Sequence, residues 1–111
     1  MLPDFIVPPP VDRVLKDGDK IEIDGLTIDV LATPGHTPGS VSLLAQDCAF
    51  TGDTLFKRNI GRYDLPGGDK VLEVQSIKNQ LLVLPNETRV MPGHGSASTI
   101  GDELEFNRFL Q

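Results

Sequence analysis

The chain has 111 residues, of which ten are lysine or arginine and sixteen are aspartate or glutamate, giving a formal net charge of −6. This length supports one domain with a modest core, and the negative charge argues against nucleic acid as a partner because no basic surface displaces phosphate counterions. The single cysteine excludes an intrachain disulfide, and no apolar run approaches the ~20 residues that span a bilayer. Since residues 1–5 do not resemble a signal peptide, we expect a soluble, cytoplasmic domain.

The first eleven residues are rich in proline. They contain Pro3 and the run Pro8-Pro9-Pro10. Proline lacks the N–H that a strand ladder needs and favours extended polyproline geometry. We therefore predict a Pro-rich connector over residues 1–11 and a domain over residues 12–111.

Short strands are predicted next. Residues 20–23 and 26–31 alternate polar and apolar side chains around Asp24-Gly25, which is a strong hairpin signal. The same kind of pattern predicts further strands over residues 14–15, 40–45, 48–51 and 88–91. Residues 54–69 are rich in Gly, Pro and Asp and are predicted to form a long loop, which in a compact domain tends to be functional.

Two helices are predicted late in the chain. The first is capped by Asp69, runs over residues 70–84 and ends at Pro85. Its predicted buried stripe consists of Val71, Val74, Ile77, Leu81 and Leu84. The second follows a sequence resembling a capping box at residues 99–102 and contains Leu104, Phe109 and Leu110. The predicted class is therefore α/β or α+β.

Three polar residues share one local context: His36, Asp53 and His94 each follow an apolar strand and are preceded by glycine. Both histidines lie in the tripeptide Pro-Gly-His, in which proline ends the ladder and glycine permits a tight turn. Two imidazoles and a carboxylate are ordinary ligands for zinc or a similar divalent ion. We predict a metal site. The alternative, two surface-loop histidines and a turn aspartate, stays open because ligands so far apart leave no short-range signature.

Four sequence blocks carry a resemblance to a known family. They are TPGHTPGS at residues 33–40, FTGDTLF at 50–56, GRYDLPGGD at 61–69 and PGHG at 92–95. In order and spacing these blocks resemble those of the metallo-β-lactamase-fold hydrolases, most of all their glyoxalase-II-like (hydroxyacylglutathione hydrolase-like) branch. The resemblance extends from about Val11 to Leu110, which is nearly the whole chain.

The resemblance implies a fold and a site. The fold is the C-terminal half of an αββα sandwich, a mixed sheet with two late helices. His36 would ligate a first metal, Asp53 would bridge two metals and act in catalysis, and His94 would ligate the second. A metal-bound hydroxide would then attack the carbonyl of a thioester or ester. Zinc is the expected metal, with iron or manganese as alternatives. Arg62 and Asp64 would support the site as an ion pair that orders their loop.

One departure from the family pattern matters. The family's remaining ligands come from an H-x-H-x-D-H motif, and this sequence has only two histidines. We therefore expect the chain alone to be inactive on its small-molecule substrate and to need self-association or an N-terminal half. A non-catalytic metal-binding or assembly module is the alternative from another class. Within the superfamily, a single-iron persulfide dioxygenase or a true β-lactamase are further alternatives.

Overall fold

The computed structural model describes residues 15–111. The predicted connector and Val14 lie outside this range, and Leu15 is not part of a strand. Residues 15–111 form eight strands, which are β1 (Lys20–Ile23), β2 (Leu26–Ala32), β3 (Val41–Ala45), β4 (Cys48–Gly52), β5 (Leu55–Phe56), β6 (Asn59–Ile60), β7 (Arg89–Pro92) and β8 (Ser98–Thr99). The two α-helices within the same range are α1 (Lys70–Ser76) and α2 (Ile100–Phe106). Among the described residues, no helix is long and apolar enough to cross a membrane.

Six strands form one mixed sheet in the order β1-β2-β3-β4-β7-β8. Only β4 and β7 pair in parallel, and every other neighbouring pair is antiparallel. The predicted mixed sheet with two late helices is confirmed. The parallel pair matters for the site because β4 and β7 end on the same edge of the sheet, so the loops that follow them meet there.

One face of the sheet carries the hydrophobic core. Ala49 of β4 and Val90 of β7 are fully buried against Ile77, Leu81 and Ile100 from the helical segments. Side chains alternate between faces along a strand, so the neighbours of Ala49 and Val90 point away from this core. The helices therefore cover one side of the sheet.

The second face of the sheet is also apolar. The strand register places Ile23 beside Leu26, Leu43 beside Phe50, and Phe50 beside Met91. Ile23 is 54% exposed and Phe50 is 45% exposed. Neighbouring large apolar side chains at this exposure are typical of a surface that packs against a partner.

The first predicted helix differs from expectation. The α-helix ends at Ser76 and is followed by five residues of π-helix, Ile77–Leu81, where the N–H of Leu82 donates to the carbonyl of Ile77 at 2.9 Å. The predicted stripe was also wrong at its first position, since Val71 is 67% exposed. Glu73 and Ser76 are buried instead, because α1 packs against the loop that contains His36 and turns this face inward.

Two other predictions need correction. The predicted loop over residues 54–69 contains the hairpin of β5 and β6, whose strands have two residues each. The final helix ends at Phe106, because Asn107 adopts an extended conformation. Phe109 and Leu110 lie in the 3₁₀ turn Arg108–Leu110 that follows.

Candidate metal centre

His36 follows β2 and is oriented by a single backbone contact. Its Nδ1 lies 2.7 Å from the carbonyl oxygen of Arg62. Because a carbonyl only accepts hydrogen bonds, Nδ1 must carry the proton and donate. The Nε2 lone pair is then left for another ligand, which is the arrangement that metal-binding histidines use.

Asp53 and His94 are brought together by the parallel strands β4 and β7. The N–H of Gly93 donates to the carbonyl of Gly52 at 2.9 Å, so the two loops begin side by side. The Nε2 of His94 lies 3.4 Å from Oδ1 of Asp53, and both side chains are more than half exposed. The imidazole also packs against Phe56, with ring centroids 4.9 Å apart. This aromatic contact had no signal in the sequence.

All three predicted ligands line one cavity of about 590 Å³. Its other lining residues are Phe56, Lys57, Asn59, Ile60, Gly61, Arg62, Gly95 and Ser96. The described residues contain no group of three His, Cys, Asp or Glu side chains close enough to hold one metal ion. The structure thus places His36, Asp53 and His94 in a common cavity without joining them into a closed ligand set.

Arg62 and Asp64 form a bidentate ion pair at the edge of this cavity. Nε and an Nη of Arg62 donate to the two carboxylate oxygens at 3.1 and 3.2 Å. The hydrogen bond from Arg62 holds the pKa of Asp64 below its usual range, and the same bond raises the pKa of Arg62. Both side chains are about two-thirds exposed, so the pair contributes little stability. The backbone carbonyl that contacts His36 belongs to the same residue, Arg62.

Glu73, which sequence analysis placed on no site, is fully buried beneath the cavity. A Cβ atom added at Gly61 would lie 2.9 Å from Oε2 of Glu73 and 1.8 Å from the carbonyl oxygen of Asp53, so Glu73 comes within van der Waals range of the cavity wall. Neither carboxylate oxygen has a hydrogen-bond partner within the described residues. Burial raises the pKa of Glu73 to about 7, because desolvation disfavours the charged form.

Glu103 is the second buried carboxylate that the sequence did not reveal, and it is fully hydrogen-bonded. Its Oε1 accepts from the backbone N–H of Arg58 at 2.9 Å and from Nδ2 of Asn107 at 2.8 Å, and its Oε2 accepts from the hydroxyl of Ser98 at 2.7 Å. This network fixes the β5–β6 hairpin to α2. The hairpin in turn supplies Phe56 and Asn59 to the wall of the cavity.

Comparison with known proteins identifies the family. The family model described as the metallo-beta-lactamase superfamily matches residues 2–94. The chain belongs to this superfamily. It is 46% identical over 114 residues to an uncharacterized protein of Mycobacterium tuberculosis, and 40% identical over 110 residues to the hydroxyacylglutathione hydrolase GloC of Haemophilus influenzae, with 92% of this chain and 52% of that relative covered.

Solved structures of the superfamily agree with this assignment. The BLEG-1 B3 metallo-beta-lactamase superposes with a TM-score of 0.86 at 46% identity, covering 92% of this chain and 50% of that one. TTHA1623 in a di-iron-bound form superposes with a TM-score of 0.80 at 45% identity, covering 93% and 50%. The chain thus spans about half the length of the relatives and structures that it matches.

Proposed function

We propose that this chain contributes part of the active site of a metal-dependent hydrolase that acts on thioesters or esters, in the manner of the glyoxalase-II-like branch. One observation carries the proposal: His36, Asp53 and His94 line a single cavity, and the Nδ1 bond of His36 leaves its Nε2 available. The relative named hydroxyacylglutathione hydrolase and a Bacillus subtilis relative named a probable metallo-hydrolase support the same reaction class.

The donor atoms fit a divalent metal. Zinc–nitrogen and zinc–oxygen bonds of about 2.0–2.1 Å at a tetrahedral angle put two ligand atoms roughly 3.4 Å apart. Nε2 of His94 and Oδ1 of Asp53 have this separation, 3.4 Å. The exposed Asp53 carboxylate also has a second oxygen for a second ion. In our proposal His36, Asp53 and His94 would hold the metal ions, and the remaining ligands would come from outside this chain.

When bound, such a metal pair would acidify a water and polarise the scissile carbonyl. The residues of this chain would do the rest. The Arg62 carbonyl keeps His36 in the tautomer that presents Nε2, and Phe56 limits the rotation of His94. The cavity of about 590 Å³ admits a small acyl group. Zinc is the proposed metal, and iron is the alternative that the di-iron relative supports.

Zinc titration of the metal-free chain by isothermal calorimetry tests the ligand assignment. We expect Asp53→Ala and His94→Ala each to weaken zinc binding at least about tenfold, since each removes a direct ligand. Glu87→Gln changes the charge at an exposed position away from the cavity and is the matched control. Zinc binding that is unchanged in both ligand variants would refute the assignment.

A second candidate function is a non-catalytic assembly module, and the apolar second face of the sheet favours it. Ile23 and Phe50 are about half exposed there, so self-association or a partner half would cover them. Sedimentation of Phe50→Lys against the unaltered chain tests whether this face mediates association, and thioester turnover separates the two candidates. A non-catalytic metal-binding or assembly module shows no turnover with zinc and a complementary half, whereas a partial hydrolase does.

A further inference from the structure

A second cleft of about 610 Å³ collects three cations. Arg58, Lys70 and Arg108 line it together with Asn59 and Phe109, and no carboxylate is among its lining residues. Across residues 15–111, none of the three cations takes part in an ion pair. In a chain with a net charge of −6, this local excess of positive charge stands out against the rest of the surface. Clefts lined by one sign of charge concentrate ligands of the opposite sign.

The cleft is held in place by buried polar groups. Arg58 has a φ of +60°, a left-handed conformation that is costly for a residue with a side chain. Its N–H is fixed by the fully buried Glu103. The equally buried Asn107 donates to the carbonyl of Asn59 at 3.1 Å and accepts from the N–H of Phe109 at 3.1 Å. One buried pair, Glu103 and Asn107, therefore positions both turns that line the cleft.

Two of the cationic side chains are also oriented by aromatic rings. The Arg58 guanidinium lies 5.0 Å from the centroid of Phe106, and the Lys70 ammonium lies 5.5 Å from that of Tyr63. A contact with an aromatic ring leaves the positive charge available to a ligand, whereas a contact with a carboxylate would neutralise it. It also reduces the entropy lost when the side chain binds an anion.

The cleft adjoins the candidate metal centre. A third cavity of about 380 Å³ is lined by residues 59–64 and Phe109. It shares Arg62 with the cavity of the metal centre and Phe109 with the cationic cleft, and Asn59 lines all three. Because the cavities share these residues, a ligand that spans them would reach from the metal centre to the three cations.

We propose that this cleft binds the phosphate group of an anionic ligand. Guanidinium groups pair with phosphate oxygens through two parallel hydrogen bonds, and three cations balance the two or more charges of a phosphate ester or diphosphate better than the single charge of a carboxylate. The substrate class follows from this site and rests on the proposed function: an acyl thioester whose thiol moiety carries phosphate, with its acyl group at the metal centre.

The binding site is tested with inorganic pyrophosphate on the metal-free chain in chelating-resin-treated buffer, by backbone amide NMR. We expect saturable shifts at Arg58, Asn59 and Arg108. Arg58→Gln, Lys70→Gln and Arg108→Gln should each weaken binding about five- to tenfold, and the triple variant should abolish it. Lys78→Gln, an equal charge change at an exposed site outside the cleft, should change affinity less than about twofold. Absence of binding, or an equal loss in Lys78→Gln, overturns the proposal.

The substrate class is tested separately. Hydrolysis of S-acetylphosphopantetheine and of S-acetylpantetheine is measured in the presence of zinc and a complementary half that supplies the missing ligands. The two thioesters differ only in the phosphate. We expect the phosphorylated thioester to have a KM at least about tenfold lower, with the difference reduced in Arg108→Gln and lost in the triple variant. Equal KM values overturn the substrate class but leave the hydrolase intact. Pyrophosphate binding without hydrolysis of either thioester contradicts the hydrolase and leaves the phosphate site standing.

Discussion

Glu73 lies directly behind Gly35, with no room for a side chain between them. A Cβ atom added at Gly35 would lie 2.2 Å from both Cα and Cβ of Glu73. The same contact is reinforced by the N–H of Asp69, which donates to the carbonyl of Gly35 at 2.7 Å, and by the hydroxyl of Ser76, which donates to the carbonyl of Pro34 at 2.8 Å. Helix α1 and the loop that presents His36 therefore form one packed unit.

Gly35→Ala should destabilise the chain strongly. Gly35 has a φ of +141°, so the substitution adds backbone strain to a steric overlap, together about 3 kcal/mol or more. Gly39→Ala is the matched control, because a Cβ atom in that part of the same loop would meet nothing within 4 Å. Urea denaturation measures both free energies of unfolding. Equal values for the two variants would show that the close packing at Gly35 does not exist in solution.

The buried carboxyl of Glu73 should make stability depend on pH. Its pKa is raised to about 7 in the folded chain from a usual value of 4.5. Between these values the unfolded chain releases the proton while the folded chain keeps it, so stability falls as pH rises through this window. The loss amounts to at most about 3 kcal/mol by pH 8.

Glu73→Gln removes the ionisation while keeping the shape of the side chain. Unfolding free energies of both proteins at pH 4 and pH 8 test the effect. Between pH 4 and pH 8 the unfolding free energy of the variant should rise relative to that of the unaltered chain by about 2 kcal/mol or more. A difference between the two proteins that stays constant with pH would mean that Glu73 ionises freely.

Glu103→Gln should loosen the β5–β6 hairpin. The amide converts one acceptor of a three-bond network into a donor, which costs about 2–3 kcal/mol at a buried site. Amide hydrogen exchange at Arg58 should also become faster, because a neutral amide oxygen is a weaker acceptor for its N–H than a carboxylate oxygen. Glu105→Gln lies two residues along the same helix but is exposed, and it should change neither quantity. If both variants exchange equally, Glu103 does not hold the hairpin.

Regular periodicity is what made much of the fold predictable. Strands β1 and β2 alternate polar and apolar side chains around Asp24-Gly25, and the structure shows the predicted hairpin. Hairpin β5–β6 has strands of two residues, too short to show a period, and a turn at Lys57-Arg58 that carries none of the residues favouring φ > 0. It is held in part by Glu103, 45 residues away, which accepts a hydrogen bond from the Arg58 N–H.

Of the candidate site, only the three proposed ligands were predictable. Glycine before His36, Asp53 and His94 marked the three loop positions, and the structure places all three in one cavity. Helical glutamates normally face solvent, so no sequence pattern predicts that Glu73 or Glu103 is buried. Their burial depends on contacts with distant loops. The ring contact of Phe56 with His94 likewise depends on the unpredicted hairpin.

Complementation tests the central claim most directly. In the presence of zinc, the chain is combined with the part of the Haemophilus influenzae relative that it does not match. Association of the two is verified by sedimentation, and hydrolysis of a simple thioester is then measured. We predict no turnover by the chain alone, zinc-dependent turnover by the complex, and loss of that turnover in Asp53→Asn. Turnover by the chain alone, an associated complex that hydrolyses nothing, or turnover that survives Asp53→Asn would contradict it.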